Sequence, residues 1–486
     1  MPAPNVSLPN APSDVRTLVR AVASGELTCV AIAERALDRI AACGELGAFI
    51  AVDPDLMGAA RRLDRERETG CAGPLHGVPV ACKDNIETAD LPTSAGTVAF
   101  RALRTGRDAP AVARLRAAGA LIVGKTNLDE LAIAGRGQSG WGGQVRSPHG
   151  PSRHPTGSSG GSAVALATGM ADLALGTETV NSLRYPASAT GTVAIRPSLG
   201  GVPAGAGPSP EWTVPDWMAG GVFPQSACDT VGPMARSVAD AALMLDVLRG
   251  GTGRVPPPAD PLGLRIGLVR PMMGDGPEHE GVNAAIAGAL DALAARGATI
   301  VAINEPMLAT VPLYERLAVQ VHEVAALFSD YVDELIGLPD ATGLSDVRAF
   351  GDLLHHGPHA PLVPPFIKAA LAGTPGDRAE EVERRRTEAR RVEEAVRALF
   401  EAERLDALAY PLCQRPAARS IGEPSRPERN GILASALGWP AIDLPAGTAM
   451  EDGVHLPVGL DLCAPPEREA DLIAVALAIE IGLGRS

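Results

Sequence analysis

The chain has 486 residues, of which 46% are hydrophobic, and its 57 acidic and 43 basic residues give a formal net charge of −14. This length and apolar content predict a globular fold with a large buried interior. The acidic balance argues against nucleic acid as a partner, because binding to phosphates needs clustered lysine and arginine. No run of residues approaches the ~18 apolar residues of a membrane span, so no membrane association is expected.

Predicted helices and strands alternate along most of the chain. Helices are predicted over residues 13–26, 30–42, 110–119, 127–134, 160–169, 282–296 and 466–482, and strands over 120–123, 171–175, 264–269, 298–303, 406–411, 440–445 and 456–462. Short apolar strands between amphipathic helices indicate an α/β fold in which helices cover a sheet.

Residues 305–405 interrupt this alternation. They hold long helical segments, a proline-rich patch (HHGPHAPLVPPF) and the charged run DRAEEVERRRTEARRVEEAV. Acids and bases alternate in the run, which is typical of an exposed helix with i,i+4 ion pairs. We expect 305–405 to be a helical insertion that covers the sheet. If the late strands complete the early sheet, residues 1–486 form a single domain.

The cysteines and histidines give no sign of a metal site. The seven cysteines are Cys29, Cys43, Cys71, Cys82, Cys228, Cys413 and Cys463. They form no CxxC pair or zinc spacing and their number is odd, so we interpret them as reduced thiols. The HHGPH sequence at 355–359 is interpreted as a loop, and His76 as a structural residue of a turn. With no signal peptide visible in MPAPNVSLPN, the expected location is cytoplasmic.

Two short motifs match the patterns of other enzyme classes. GALIVGKT (119–126) fits the phosphate-loop pattern, but a helix is predicted before Gly119 and a buried strand between the glycines, where the motif needs a loop. GSSGG (157–161) fits the nucleophile elbow with Ser159 at its centre. That elbow requires a strand directly upstream, and the residues upstream contain three prolines. Both matches are interpreted as accidental.

A lysine and two serines lie in glycine- and serine-rich neighbourhoods. They are Lys83 in HGVPVACKDNI, Ser158 in TGSSGGSAVALATG and Ser182 in LGTETVNSLRYPAS. A serine needs a base beside it to act as a nucleophile. Lysine is protonated at neutral pH, but burial can lower its pKa by ~3–5 units, and an apolar run leads into Lys83. Taken alone, GSSGGS is equally typical of a linker, a helix start or an anion site.

These segments, in this order, resemble the amidase signature family. The later segments DTVGPMARSVAD, GWPAIDLPAG and HLPVGLDLC extend the resemblance, which runs from about Ser13 to Ile481. The resemblance implies an amidase signature fold, in which helices cover both faces of a large mixed β-sheet. It also implies a Ser-cisSer-Lys triad that needs neither metal nor cofactor.

The same resemblance implies a role for each site residue. Ser182 would attack the substrate carbonyl, Ser158 would follow a cis peptide bond and pass the proton, and Lys83 would be the final base. The backbone N–H groups of Thr179, Val180, Asn181 and Ser182 would form the oxyanion hole, and Ser159, Glu178 and Arg184 would hold this network. Losing one oxyanion donor typically costs ~2.7–4 kcal/mol of transition-state stabilisation.

The chain departs from the commonest family pattern within this segment. Val180 and Asn181 replace a usual Gly-Gly pair, and Glu178 replaces a usual aspartate. Valine resists backbone angles that glycine allows, and the two side chains would narrow the pocket. These departures bear on the choice of substrate more than on catalysis.

Four aromatic residues are candidates for the substrate pocket. Trp212, Trp217 and Phe223 lie in GAGPSPEWTVPDWMAGGVFP, and Trp141 lies in the loop before GSSGGS. If they line a pocket, the substrate is apolar or aromatic near its acyl or amine part. Equally, they would cap the core or meet a partner subunit. No Arg or Lys cluster for a dicarboxylate or phosphate substrate is evident.

We therefore interpret the chain as a hydrolase of linear C–N amide bonds, with a carbamate (urethane) or a small ester as variant substrates. The expected partner is a small-molecule substrate, and a homodimer is compatible with the sequence. One alternative is the glutaminase subunit of a tRNA-dependent amidotransferase, which the Val180-Asn181 pair and the aromatic stretch disfavour. A second alternative is a catalytically silent binding protein, which the intact lysine and serines disfavour.

Overall fold

A computed structural model describes residues 14–70, 72–203, 221–343, 353 and 373–485. The helices are α1 Val15–Ser24, α2 Cys29–Ala42, α3 Leu56–Glu68, α4 Pro110–Ala117, α5 Gly160–Ala167, α6 Arg184–Thr190, α7 Val238–Leu248, α8 Glu280–Ala294, α9 Thr310–Leu317, α10 Gln320–Gly337, α11 Pro375–Glu403, α12 Ile432–Leu437 and α13 Glu469–Gly482. The strands of the main sheet are β1 Phe49–Val52, β2 Pro79–Lys83, β3 Leu121–Thr126, β7 Leu173–Glu178, β8 Val193–Arg196, β9 Thr230–Ala235, β10 Arg265–Val269, β11 Thr299–Ile303, β12 Ala407–Pro411, β14 Ala441–Glu451 and β15 Val454–Cys463. Short strands β4 Gln138–Ser139, β5 Gly143–Gln144, β6 Arg153–His154 and β13 Arg419–Ser420 form two small ladders.

The main sheet has 11 strands in the order β1-β3-β2-β7-β9-β8-β14-β15-β12-β10-β11. Strands β3, β2 and β7 run parallel, as do β12, β10 and β11, and the pairs between these groups are antiparallel. Strands from the last fifth of the chain therefore complete the sheet that the early strands begin. The predicted mixed sheet is confirmed.

Helices pack on both faces of the sheet, and the strand sequences show why. Val80 and Cys82 of β2 join one apolar cluster, whereas Ala81 between them joins another. Leu173 and Leu175 of β7 alternate with Ala174 in the same way. Side chains of a strand alternate between the two faces of the sheet. Each of these strands therefore contributes side chains to the hydrophobic core on both faces. The core of small residues packs against α5 and α6, and the larger core packs against α1–α4, α7 and α8.

Helices α9, α10 and α11 lie within the predicted insertion at 305–405. On α11, Arg385 and Arg397 pair with the glutamates four residues earlier, Glu381 and Glu393. This matches the i,i+4 pattern predicted for the charged run. Arg385 also donates to the backbone carbonyls of Glu315 and Ala318 at 2.7 and 3.0 Å. These hydrogen bonds fix α11 against the end of α9.

One predicted helix is wrong. Residues 127–134 hold only a single 3-10 turn, Glu130–Ala132, and Leu131, Ala132 and Ala134 have positive φ. Tertiary contacts replace the helical hydrogen bonds. The N–H of Leu131 donates to Ala95 O at 2.8 Å, and its carbonyl accepts from the amide of Gln225 at 2.6 Å. The segment forms a wall of the candidate active site instead.

Neither accidental motif has its required setting. Residues 121–126 of the phosphate-loop match form the buried strand β3, preceded by α4. Upstream of GSSGG lies only the two-residue strand β6, which pairs with β13 outside the main sheet. In the described parts of the chain, no helix is long and apolar enough to cross a bilayer.

Candidate active site

Lys83 is the last residue of β2, and its side chain is fully buried. Its Nζ donates to Ser158 Oγ at 2.7 Å and to Thr177 Oγ1 at 2.8 Å. Thr177 lies near the carboxyl end of β7, which runs parallel to β2. Because parallel strands end at the same edge of a sheet, residues 94 positions apart in the chain meet here.

Burial lowers the pKa of the Lys83 ammonium from 10.5 to about 7. The carboxylates of Asp129, Asp229 and Glu178 act in the opposite direction and limit the shift. Near neutral pH a large fraction of Lys83 is therefore uncharged. The geometry and the protonation state together allow Nζ to accept a proton from Ser158.

Ser158 and Ser159 lie in the turn that opens α5. The Gly157–Ser158 peptide bond is cis, as the resemblance implies. Ser159 donates from its hydroxyl to Thr177 O at 3.2 Å. A Cβ at Gly161 would lie 2.4 Å from the carbonyl oxygens of Ala48 and Asn127, so the first turn of α5 approaches neighbouring backbone more closely than any side chain allows. Gly161 is thus needed for packing.

Gly157 is equally constrained, by a carboxylate. A Cβ there would lie 1.7 Å from Asp129 Oδ2. The other oxygen of Asp129 accepts from the N–H of Arg136 at 2.6 Å, and its backbone N–H donates to Ser158 O at 3.2 Å. Burial raises the pKa of Asp129 to about 6. Asp129 therefore holds the backbone of Ser158.

The variant Gly157→Ala is expected to lower kcat/KM by about 10- to 100-fold, since a displacement of ~1 Å in a catalytic group can cost 10²-fold. The new methyl group must push Asp129 or Ser158 aside. Gly160→Ala is the matched control, because its Cβ would meet Pro155 Cγ at 3.4 Å, an ordinary contact. Steady-state kinetics on both variants test this. Equal activities for both variants and the wild type would contradict it.

Ser182 lies in the turn between β7 and α6, half-buried on the wall of a cavity. The carbonyl of Ser182 accepts from the N–H of Ser159 at 3.0 Å, which ties it to the residue after Ser158. Thr179, Val180 and Asn181 line the same cavity. The four backbone positions predicted for the oxyanion hole thus border one space. The triad assignment and the oxyanion hole remain predictions.

A buried ion-pair network lies behind this turn. Arg184 contacts Glu178 Oε1 through Nη2 at 2.7 Å and Asp461 Oδ2 through Nη1 at 2.5 Å. Glu178 Oε2 accepts from the N–H of Leu183 and Arg184 at 3.1 and 3.2 Å. Burial acts to raise the pKa of Glu178, but the guanidinium groups of Arg184 and Arg196 outweigh it and lower that pKa. Glu178 therefore stays ionised and caps α6 directly after Ser182.

The network also holds Val180. Arg184 Nη2 donates to Val180 O at 3.1 Å, and the hydroxyl of Ser435 donates to the same oxygen. Val180 and Asn181 both lie in the described part of the chain and neither has positive φ. The turn thus accommodates these side chains without left-handed backbone.

The cavity next to Ser182 is narrow and open to solvent; the space that water-sized groups can occupy within it is about 50 Å³. Its lining residues are Ala132, Ile133, Ala134, Gly135, Gly157, Thr179, Val180, Asn181, Ser182, Gln225, Tyr314, Gln320, Val324 and Arg429. Helices α9 and α10 contribute three of them. Part of 305–405 thus lines the cavity beside Ser182.

The predicted aromatic residues occupy different places. Phe223 is buried in an aromatic cluster, with ring centroids 4.6 Å from Tyr331 and 5.5 Å from Phe100. Trp141 is 46% exposed. Neither is among the described residues that line the cavity. Trp212 and Trp217 lie outside the described residues.

Several polar residues of the site were not predicted. Asn85 Nδ2 donates to Thr177 Oγ1 at 3.0 Å, and Thr179 Oγ1 donates to Gln225 Oε1 at 2.9 Å. Asn85 and Thr177 belong to the same motifs as Lys83 and Ser182. Their closeness in the chain to Lys83 and Ser182 could have indicated them, whereas nothing in the sequence links Gln225 or Arg429 to the site. Among the described residues, no group of three His, Cys, Asp or Glu could hold a metal ion.

Comparison with known proteins gives consistent matches. A family model described as Amidase matches residues 31–473. A glutamyl-tRNA(Gln) amidotransferase subunit of Deinococcus deserti is 31% identical over 504 aligned positions, covering 96% of each chain. The subunit of the same name from Salinispora tropica is 32% identical over 492 positions, covering 95% of this chain and 96% of its own. The solved structure of peptide amidase from Stenotrophomonas maltophilia aligns with a TM-score of 0.80 and 34% identity, over 98% of this chain and 97% of that chain.

Proposed function

The chain belongs to the amidase signature family and is a hydrolase of amide C–N bonds, and we propose that it acts on a small linear amide through a serine acyl-enzyme. A carbamate or a small ester is a variant substrate that the same acyl chemistry would serve. The observation that carries the proposal is the 2.7 Å contact between Lys83 Nζ and Ser158 Oγ. It joins a buried amine, with its pKa lowered to about 7, to the hydroxyl of the residue that follows Gly157, which lines the cavity.

In this mechanism Ser182 Oγ attacks the carbonyl carbon of the amide. Its proton passes to Ser158 Oγ while the proton of Ser158 passes to Lys83 Nζ. The same route returns a proton to the leaving nitrogen, and the C–N bond breaks. Water then attacks the acyl carbon and gives up a proton along the same path. The ester C–O bond to Ser182 breaks, Ser182 Oγ recovers that proton through Ser158, and the carboxylic acid leaves. Each half-reaction leaves Lys83 uncharged again.

Negative charge on the carbonyl oxygen would be stabilised by the backbone N–H groups of residues 179–182. The turn that carries them is held from behind by Glu178, Arg184 and Ser435. A rigid support matters, because donors already in place need no reorganisation during the reaction.

The glutaminase subunit of a tRNA-dependent amidotransferase is a second candidate. The two amidotransferase subunits compared above are 31–32% identical over nearly the whole chain, which favours it. Val180 and Asn181 line the cavity beside Ser182, where the usual pair of glycines would have no side chains, and this difference favours a different substrate. A glutaminase of this kind would need partner chains and tRNA, whereas the amidase would act alone.

The test is a panel of aryl amides, carbamates, small esters and glutamine, assayed with the purified chain. We expect amide hydrolysis without partner chains, and labelling of Ser182 by a fluorophosphonate that mass spectrometry locates. Ser182→Ala serves as the control that cannot be labelled there. Glutamine hydrolysis alone would favour the second candidate. Labelling at a different residue, or at none, would contradict the proposed mechanism.

A further inference from the structure

Arg429 lies on the wall of the cavity that holds Ser182, and no carboxylate pairs with it among the described residues. Its Nη1 donates to Ser425 Oγ at 2.7 Å. The guanidinium also interacts with the hydroxyl of Tyr314. Its Cζ lies 5.7 Å from the ring centroid of Tyr185 and 5.8 Å from that of Tyr314. Its five N–H donors therefore have more capacity than these contacts use.

Other arginines in the same part of the fold are neutralised. Arg426 and Arg415 both contact Glu451, and Arg184 contacts Glu178 and Asp461. A partly buried charge without a counter-ion is unfavourable. Arg429, which has no such carboxylate partner among the described residues, lines the cavity that a substrate would enter. We therefore expect the substrate to supply its counter-ion.

Asn181 lines the same cavity and carries a buried donor without a partner in the described part of the chain. Its side chain is only 5% exposed, and Nδ2 has no hydrogen-bond partner among the described residues. Buried polar groups are nearly always hydrogen-bonded, so an orphan donor on a cavity wall points to a ligand. Gly431, two residues after Arg429, packs closely against Asn181: a Cβ added at Gly431 would lie 2.5 Å from Asn181 Cβ. The two donors thus belong to adjoining walls.

We propose that Asn181 and Arg429 form a carboxylate subsite, so that the amide substrate also bears a carboxylate group. This inference rests on the proposed function, because it places the subsite in the cavity of the nucleophile. Guanidinium and carboxylate form charge-assisted, often bidentate hydrogen bonds, and Asn181 adds a neutral donor. The rings of Tyr185 and Tyr314 lie within cation–π distance of the guanidinium and favour its charged form at this position.

The experiment compares isosteric substrate pairs. Glutaryl p-nitroanilide is paired with 5-oxohexanoyl p-nitroanilide, which replaces the carboxylate by a methyl ketone. The butyramide of 4-aminobenzoate is paired with that of 4-aminoacetophenone, which moves the charge to the amine side. We expect the wild type to favour the charged member of at least one pair by about 10-fold or more in kcat/KM, since one hydrogen bond to a charged group contributes ~1.5–3 kcal/mol.

Three variants locate that preference. Arg429→Gln is expected to reduce the ratio of charged to neutral kcat/KM by about 10- to 100-fold, which is ~1.4–2.8 kcal/mol at ~1.4 kcal/mol per tenfold. Arg429→Lys should keep part of it, and the isosteric Asn181→Asp should reduce it through charge repulsion. Both substrates of a pair are assayed with the same enzyme preparation. A misfolded fraction lowers both kcat/KM values equally and does not change their ratio. Arg391→Gln, at a side chain 74% exposed on α11, is the control that keeps the wild-type ratio.

The outcomes separate the two proposals. Hydrolysis of neutral and charged members at equal kcat/KM in both pairs would overturn the carboxylate subsite and leave the amidase proposal standing. An unchanged ratio in Arg429→Gln would also overturn the subsite. Failure of every member, together with no fluorophosphonate label on Ser182, would overturn the proposed function itself.

Discussion

The variant Lys83→Met is expected to lower both kcat and kcat/KM by about 10²- to 10⁴-fold, the range that general base catalysis contributes. Methionine fills a similar volume but cannot accept the proton of Ser158. Because Lys83 Nζ contacts Ser158 and Thr177 rather than a substrate, KM should change little. Steady-state kinetics on a chromogenic amide measure this. A variant that keeps near-normal kcat would refute the role of Lys83 as base.

The wild-type pH profile provides a second measurement of the same group. Only the uncharged amine acts as base, and the pKa of Lys83 is about 7. The acylation rate should therefore be near its plateau above pH 8 and fall about tenfold per pH unit below pH 6, where protonation removes the base. Activity that stayed constant from pH 8 to pH 5 would contradict this interpretation.

Stability distinguishes loss of the base from misfolding. Burial lowers the pKa of Lys83, so between about pH 7 and 10.5 the unfolded chain binds more protons than the folded one. The cost of burying this lysine is therefore fully present below pH 7 and declines as the pH rises towards 10.5. We expect Lys83→Met to unfold at an equal or higher temperature than the wild type at pH 6. An inactive variant with a strongly lowered Tm would show disruption of the fold instead.

Local patterns in the sequence predicted most of the elements that carry the site. The predicted strand at 171–175 overlaps β7, and the Gly/Ser motif after residue 156 opens α5 as predicted. The apolar run before Lys83 forms strand β2, which was not among the predicted strands. The resemblance implied the contact between Lys83 and Ser158, which the structure places at 2.7 Å. These features are encoded within short segments, where composition and periodicity are informative.

Features that depend on long-range packing were not predictable. Residues 127–134 have helical composition, yet hydrogen bonds to Ala95 and Gln225 impose another conformation. No pattern in the sequence indicated a positive group for an anionic substrate, because a single arginine forms no cluster. Only the approach of α9 brings Tyr314 against Arg429 and places both on the cavity wall. The order of strands, rather than any motif, decides which side chains meet.

The variant Arg184→Met is expected to destabilise the fold by about 3–5 kcal/mol, the usual cost of removing one partner from a buried ion pair. Arg184 is fully buried, and its loss leaves the carboxylates of Glu178 and Asp461 without their main counter-ion. Val180 O also loses a donor, so the turn that carries Ser182 should loosen. Urea unfolding measures the free energy, and kcat/KM should fall in the folded fraction as well.

An exposed pair supplies the matched control. Arg384 contacts Glu381 on α11 with its side chain 56% exposed, and surface pairs of this kind contribute ~0–1 kcal/mol. Arg384→Met should therefore change stability by less than about 1 kcal/mol. The double variant Arg184→Met/Glu178→Gln should recover part of the loss, because it also removes one unpaired charge. Equal losses of unfolding free energy in Arg184→Met and Arg384→Met would contradict this prediction. The buried network would then stabilise the fold no more than a surface ion pair does, and packing alone would hold the turn at residues 179–182.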